Sequence, residues 1–300
     1  MKIRSVTAAL YVLVLIGFFL LKIFVHMAFF DALIVLFSVI GTFEMTRALG
    51  DKIRSVQKWI VMFFSTAILV SFSISDIVYR YIQESSPEQF NYSVHITCVV
   101  FMAGLALLFG LLVFSHEKTS LESTAYSLFS LIFPSVFLLV LMGCNHLPRY
   151  SEISILFVFA VCPVADCFAQ LTGMALGKKF PKKMSPTVSP NKTVVGGIGS
   201  LVGGALAAVA IFFAYYGLVQ PADFSAKWTN LIFFVGLGVL TALFAEFGDL
   251  VESAIKRKLQ IKDMGKILPG HGGILDRIDS SLYACLIVCF VMVIRIMTTG

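Results

Sequence analysis

Long apolar runs separated by short polar segments make up most of this chain. A helix needs about 20 apolar residues to cross a bilayer core. A window of that length predicts an all-α integral membrane protein with about nine transmembrane helices. The predicted spans are about 6–25, 28–48, 58–78, 95–115, 123–143, 151–175, 196–218, 229–250 and 276–297.

The boundary between the first two spans depends on three polar residues, Lys22, His26 and Asp31, which interrupt an otherwise apolar stretch. A tight turn near His26 divides it most simply, and one long tilted helix is the alternative. The first apolar run is too long for a typical signal-peptide core, and no small-residue cleavage site follows it. We therefore expect a retained helix there.

The basic residues indicate an orientation. If the N-terminus is cytoplasmic, 18 of the 23 Lys and Arg residues lie on the inner side and five on the outer side. Cytoplasmic loops of membrane proteins carry such an excess. We therefore predict a cytoplasmic N-terminus and an outer C-terminus. The two long basic loops, at about 176–195 and 251–275, are then cytoplasmic, and chemistry on an anionic, water-soluble substrate is expected there.

Composition supports the membrane class. The chain is 58% hydrophobic and only 13% charged, whereas soluble domains are about one quarter charged. The net charge of +6 comes from basic residues between apolar runs, a pattern typical of cytoplasmic loops and sites for anionic ligands. Nucleic acid is therefore not expected as a partner. The six cysteines lack zinc-ligand spacing, so we expect small buried side chains in helix packing.

Carboxylates mark the candidate chemistry. Asp249 is predicted at the cytoplasmic end of span eight, and Asp276 and Asp279 open span nine. A charged Asp costs up to about 3 kcal/mol at the membrane centre, and several close together repel one another. A divalent cation resolves that repulsion, and Mg²⁺ is usually held by one or two carboxylates plus substrate phosphates. The residues therefore predict a magnesium site.

The surroundings of these carboxylates suit phosphate. Gly272 and Gly273, directly after His271, let backbone N–H groups approach an anion. Asp276-Arg277 at a helix start adds the positive end of the helix dipole. Together these features indicate phosphoryl or nucleotidyl transfer. Interfacial anchoring is an equal account of any single Lys or Arg here, but it does not require His-Gly-Gly followed by Asp-Arg-x-Asp.

The run from Ser253-x-Ile-Lys-Arg through Lys262-Asp263 and Pro269-x-His-Gly-Gly to Asp276-Arg-Ile-Asp279 resembles the signature of phosphatidate cytidylyltransferases, also called CDP-diacylglycerol synthases. The resemblance is strongest over about 160–280. It implies that the phosphate of phosphatidate attacks the α-phosphorus of CTP, giving CDP-diacylglycerol and pyrophosphate. It also implies a mixed Mg²⁺ and K⁺ centre.

The resemblance assigns roles residue by residue. Asp249 and Asp276 look like the metal-holding carboxylates, with Asp279 and Asp166 as further candidates. The expected catalytic residues are Asp249, Asp276, Lys256 and Arg277. The expected substrate- or phosphate-binding residues are Ser189, Lys192, Thr193, Ser253, Arg257, Lys262, His271, Gly272 and Gly273, of which His271 has no assigned role.

A second block supports the same family. Ser189-Pro-Asn-Lys-Thr193, followed by Gly196, resembles the family's Ser-Pro-x-Lys-Thr loop, in which Lys192 can meet a phosphate. Asp166 lies in the middle of an apolar span, where a functional role is the default. Gly173 and Gly177 are spaced for helix packing.

Two positions depart from the family pattern, with Val195 where Glu is usual and Gln170 where Tyr is common. Glu44 fits an acidic position in span two. A local pair with Arg47 is an equally good account of Glu44.

The resemblance implies CTP, phosphatidate and a lipid bilayer as partners, and a homodimer by analogy. Residues 1–150 would form an N-terminal membrane region of about five spans, and 151–300 the catalytic region. We expect a bacterial inner-membrane enzyme with a cytoplasmic active site. The alternatives are a CDP-archaeol synthase or CTP-using polyprenol kinase, a transporter with midplane carboxylates such as Asp166, and an inactive paralogue. The absence of repeated halves counts against a transporter.

Overall fold

Helices form most of the computed structural model, which describes residues 2–83, 91–219, 227–270 and 272–299. A 3₁₀ turn, Gly50–Lys52, follows α2, and a π-helical turn, Phe157–Val161, joins α7 to α8. The α-helices are α1 Lys2–Phe24, α2 Ala28–Leu49, α3 Ser55–Gln83, α4 Ser93–Phe114, α5 Leu121–Ile132, α6 Ser135–Asn145, α7 Ser151–Leu156, α8 Cys162–Leu176, α9 Val194–Val219, α10 Lys227–Lys258 and α11 Leu275–Thr299.

The membrane spans follow from these helices. Over the described ranges, nine helical segments are long and apolar enough to cross a bilayer, which confirms the predicted number. Two of them combine helices: Leu121–Asn145 contains α5 and α6, and Ser151–Leu176 contains α7 and α8. The orientation of the termini stays a prediction.

A tight turn separates the first two spans. α1 ends at Phe24 and α2 begins at Ala28. The ring Nδ1 of His26 accepts the backbone N–H of Ala28 at 3.1 Å, and the N–H of His26 bonds the Leu21 carbonyl. The predicted turn near His26 is confirmed, and the alternative of one long helix is wrong. The polar ring makes this break possible because it accepts a helix-start N–H that has no intrahelical partner.

The chain divides into two compact units, each described by itself. The first unit comprises Met1–Met142 together with Asp263–Arg277. Its helices α3, α4 and α5 enclose a core that contains Val61, Ile68, Leu108 and Leu131. The loop 263–274 therefore belongs to a unit that consists mainly of N-terminal helices. The predicted functional division at residue 150 stays a prediction.

The second unit comprises Gly143–Lys262 and Ile278–Gly300. Glycines bring α8, α9 and α10 into close contact. A Cβ placed on Gly203 would lie 2.7 Å from the Phe168 Cβ, and one on Gly204 would lie 2.6 Å from the Ala242 Cβ. Small residues at such positions let membrane helices pack backbone to backbone. These three helices are the frame on which the candidate site is built.

A short antiparallel hairpin follows α8, with strands β1 Lys183–Ser185 and β2 Ser189–Thr193. Lys183 pairs with Thr193 and Ser185 with Ser189. The sequence predicted only a long basic loop here. The hairpin leads directly into α9, so it fixes where that helix begins.

The expectation of six buried cysteines is partly wrong. Cys144, Cys162 and Cys285 are buried and Cys289 is half-buried, but Cys98 and Cys167 are exposed on the protein surface. Both exposed thiols lie on apolar helices whose outer faces carry other large exposed apolar side chains, such as Val99 and Leu171. Apolar sequence around a cysteine therefore did not distinguish a packed face from an outward one.

Candidate active site

A cavity of about 430 Å³ lies in the second unit. Its charged lining consists of three carboxylates and one ammonium group, from Asp166, Glu246, Asp249 and Lys192. The remaining lining residues are Ala169, Gln170, Gly173, Met174, Asn191, Thr193 and Gly196. Helices α8, α9 and α10 and strand β2 therefore all contribute to one cavity. The structure brings together four predicted site residues here: Asp166, Lys192, Thr193 and Asp249.

An ion pair lies at the centre of this arrangement. The Lys192 Nζ is 2.5 Å from the Asp249 Oδ2, and about a quarter of each side chain is exposed. One turn further along α10, the Ser253 hydroxyl donates to the other oxygen of Asp249 at 3.4 Å. Asp249 is thus held at both oxygens, but it remains accessible to a ligand in the cavity.

Thr193 connects the hairpin to α9. Its Oγ1 accepts the backbone N–H of Gly196 at 3.1 Å, the bond that an N-cap threonine makes to the third residue of its helix. Thr193 is buried, with 8% of its surface exposed. The cap fixes the direction of the first turn of α9, and Thr193 and Gly196 both line the cavity. The positive end of the α9 dipole therefore lies beside the Lys192–Asp249 pair.

Further polar contacts extend along α10. Lys256 donates to the Glu252 Oε2 at 3.0 Å, and Glu252 is fully buried. The Arg257 Nε donates to the Val188 carbonyl at 3.4 Å, which connects α10 to the turn of the hairpin. Lys256, predicted as catalytic, and Arg257, predicted as a phosphate ligand, therefore already have partners within the second unit.

The cavity suits a cation by its chemistry. Three carboxylates face one ammonium group there, and oxygen donors are the ligands that Mg²⁺ prefers. Among the described residues, no group of three His, Cys, Asp or Glu side chains is arranged to hold a metal ion. A site made by one or two carboxylates plus substrate phosphates does not need such a group. The residues fit Mg²⁺ in that form.

The loop 263–274, called the motif loop below, lies in the first unit and is held by Asp276. The Oδ2 of Asp276 accepts the backbone N–H of Met264 at 2.9 Å and that of Gly273 at 2.7 Å. Gly272 has a φ of +84°, and a Cβ there would lie 2.7 Å from the same Oδ2. Asp276 is buried. The predicted pairing of Asp276 with Asp249 stays a prediction.

The remaining predicted residues differ in their exposure. Lys262 and Arg277 are exposed, Ser189 is half-buried, and Asp279 accepts the neighbouring Ser280 N–H at 2.6 Å. His271 lies outside the described residues. The metal-binding and phosphate-binding roles of all these residues stay predictions.

Two carboxylates were left out of the predicted set. Glu246 lines the cavity and has 8% of its surface exposed. Glu44 accepts two backbone N–H groups of the motif loop. Both lie in apolar spans, where an acidic residue is a functional candidate by default. That signal, applied to every span, would have found them.

A search of protein families matches this chain over residues 5–295 to the model described as the cytidylyltransferase family. The match covers both compact units and every residue of the candidate site.

Curated bacterial proteins are similar over part of the chain. A Staphylococcus aureus phosphatidate cytidylyltransferase is 40% identical over 129 residues, 43% of this chain and 45% of its own length. One from Staphylococcus saprophyticus is 34% identical over 177 residues, which are 57% of this chain and 60% of its own length. One from Helicobacter pylori is 39% identical over 155 residues, 52% of each chain. The chain spans about half the length of the curated relatives it matches.

Proposed function

The chain belongs to the cytidylyltransferase family, and from this premise we propose that it transfers CMP from CTP to phosphatidate in a membrane. An oxygen of the phosphatidate phosphate forms a bond to the α-phosphorus of CTP. The bond from the α-phosphorus to the bridging oxygen breaks, and pyrophosphate leaves with its electron pair. CDP-diacylglycerol remains in the bilayer. The acceptor oxygen is already anionic, so the step requires no general base.

The observation that carries this proposal is the Lys192–Asp249 pair at the start of α9 inside the cavity. An ammonium group and a helix N-terminus attract phosphate, whereas the carboxylates around them repel it. A site with both features suits a nucleotide that arrives with a divalent cation. A phosphate-binding site without a cation would not need Asp166, Glu246 and Asp249 beside Lys192.

Asp249 and Asp166 are the cavity residues that would hold Mg²⁺, with Asp276 as the further ligand that the resemblance implies. A bound Mg²⁺ supplies charge neutralisation on the phosphates and on the leaving pyrophosphate. K⁺ as a second ion rests on the resemblance alone.

The chain's own groups account for the rest of the mechanism. When a triphosphate enters, Lys192 can exchange Asp249 for a phosphate oxygen, because its side chain lines the cavity and is partly exposed. The capped first turn of α9 orients its N–H groups in advance, so little reorganisation is needed. Holding two anions in line is most of the task in phosphoryl-group chemistry.

The lipid can approach along α8. Gly173 and Met174 line the cavity, and Leu171 and Met174 are 57% and 63% exposed. We propose that acyl chains lie on this apolar surface while the phosphate enters the cavity. A photoactive phosphatidate should then label residues near 171–174. Labelling confined to the loop 263–270 would count against this route.

Purified protein in detergent would receive phosphatidate, Mg²⁺, K⁺ and CTP labelled at the α-phosphate. Label is expected in the organic phase with wild type, and not with Asp249→Asn or Asp276→Asn. CTP binding without transfer would favour another lipid acceptor or an inactive paralogue. Archaeal ether-lipid and polyprenol acceptors in parallel reactions would test the two nearest alternatives.

The bacterial relatives support a bacterial membrane, and we propose the inner membrane with the cavity facing the cytoplasm. The homodimer stays a prediction. Cysteine-labelling of a variant with a single thiol near residue 179, in sealed inverted vesicles, would test the orientation. Labelling by an impermeant reagent is expected only if this loop is cytoplasmic.

A further inference from the structure

Glu44 is a buried acidic residue in the apolar span Ala28–Lys52. Only 1% of its surface is exposed. Among the ion pairs of the described residues there is none between Glu44 and Arg47, so the local pairing offered as an alternative is wrong. An acidic side chain at such a place needs partners that compensate its desolvation.

Its partners are backbone N–H groups of the motif loop. The Oε1 accepts from Ile274 at 3.1 Å, and the Oε2 accepts from Leu275 at 2.9 Å. These two N–H groups stand at the start of α11, where the helix offers them no acceptor. Glu44 therefore acts as a cap supplied by another helix, and its charge also suits the positive end of the α11 dipole.

Two glycines of the motif loop pack directly against the Glu44 carboxylate. A Cβ built on Gly265 or on Gly273 would overlap the Glu44 carboxylate. Only glycine at both positions lets the chain pass on either side of it. Gly273, which the sequence suggested for phosphate approach, therefore has a second reason to be glycine, and Gly265 has this reason alone. Phosphate binding is not required to explain either of them.

Asp276 also holds the motif loop in place. It accepts the N–H groups of Met264 and Gly273 through one oxygen. Glu44 and Asp276 together thus bind four backbone N–H groups between 264 and 275. The placement of Asp276, and of Arg277 after it, therefore depends on the hydrogen bonds that Glu44 and Asp276 accept from the motif loop.

We propose that Glu44 is a positioning residue that holds the motif loop, and through it Asp276 and Arg277, in the geometry needed for transfer. The proposal rests on the proposed function for its effect on activity. The expected effect of Glu44 on the structure of the motif loop does not depend on that function. Glu44 is not assigned any contact with substrate.

The test compares Glu44→Gln and Glu44→Ala with wild type. The amide of Gln keeps the size and one carbonyl acceptor, so it can accept one of the two N–H groups, whereas Ala accepts neither. Hydrogen bonds to a charged group are among the stronger ones. We expect kcat to fall about 10-fold in Glu44→Gln and about 100-fold in Glu44→Ala, with KM for CTP within about 3-fold of wild type. Glu122→Ala, an exposed acidic residue in the first turn of α5, is the matched control and should leave both constants unchanged.

Hydrogen–deuterium exchange supplies the readout that does not depend on activity. Amides 272–275 should exchange at least about 10-fold faster in Glu44→Gln, while amides in α3 and α9 keep their wild-type rates. Unchanged exchange at 272–275, or equal acceleration throughout the first unit, would overturn the proposal. If wild type transfers no label, the proposed function fails, and the exchange data still decide the role of Glu44. If Glu44→Ala does not fold, Glu44→Gln carries both measurements.

Discussion

Replacing Lys192 by Met tests the cavity most sharply, because it removes one positive charge and keeps the length of the side chain. About a quarter of each partner in the Lys192–Asp249 pair is exposed, so solvent screens the pair and its contribution to folding stability is small, about 0–1 kcal/mol. The thermal midpoint should therefore change by no more than about 4 °C.

The expected effect on catalysis is larger. A charge-assisted hydrogen bond from Lys192 to a phosphate contributes about 1.5–3 kcal/mol. At about 1.36 kcal/mol for each factor of ten in rate, its loss corresponds to a fall of about 10- to 150-fold in kcat/KM. KM for CTP should rise more than KM for phosphatidate, because the ammonium is assigned to the triphosphate.

The assay follows α-labelled CTP into lipid at several concentrations of each substrate. Lys179→Met is the control, since Lys179 is exposed in the same basic segment and lies over the Phe180 ring. The control removes the same charge without changing the cavity. Equal activities of the two variants would refute the assignment, because the general positive charge of the loop would then account for all the effect.

Three further predictions concern the cap of α9, the motif loop and the packing of α9 against α10. Thr193→Val removes the N-cap of α9 and should lower the free energy of unfolding by about 0.5–2 kcal/mol; Thr193→Ser keeps the hydroxyl and should restore most of it, as chemical denaturation in detergent can show. Gly272→Ala places a side chain at a φ of +84°, at a cost of about 1–2 kcal/mol, and against the Asp276 carboxylate. Activity should fall at least about 10-fold, whereas Gly236→Ala, whose Cβ would meet no atom within 4 Å, should be nearly neutral; similar activities would contradict the assigned loop geometry. Gly204→Val overlaps Ala242 and should destabilise the second unit by about 1–3 kcal/mol, seen as a lower thermal midpoint, and an unchanged midpoint would argue against close packing of α9 and α10.

The sequence was sufficient for the membrane spans because span length is a local property. Each span needs only its own apolar residues, so the windows predicted nine segments and the turn near His26. Asp166 and Asp249 were also predictable, because a charge in or beside an apolar span needs a reason to be there. Lys192 was predicted from the resemblance of its loop to the family's Ser-Pro-x-Lys-Thr loop.

Other features depend on contacts that the sequence does not contain locally. The prolines at 186 and 190 are poor strand formers, and the hairpin forms through the pairing of Lys183 with Thr193 and of Ser185 with Ser189. The contact of Glu44 with Ile274 joins residues 230 positions apart, and no periodicity in either segment predicts this contact. The grouping of 263–277 with the N-terminal helices has the same origin.

The most direct test of cytidylyl transfer uses two batches of CTP, labelled at the α- or at the γ-phosphate, with purified protein and phosphatidate. The account predicts two signals: the α-label enters the lipid, and the γ-label stays in the aqueous phase and appears there as pyrophosphate. Asp249→Asn should abolish both the labelled lipid and the labelled pyrophosphate. Label from the γ-phosphate in the lipid would identify a kinase and contradict the account. Absence of both signals from folded protein that binds CTP would contradict phosphatidate as the acceptor.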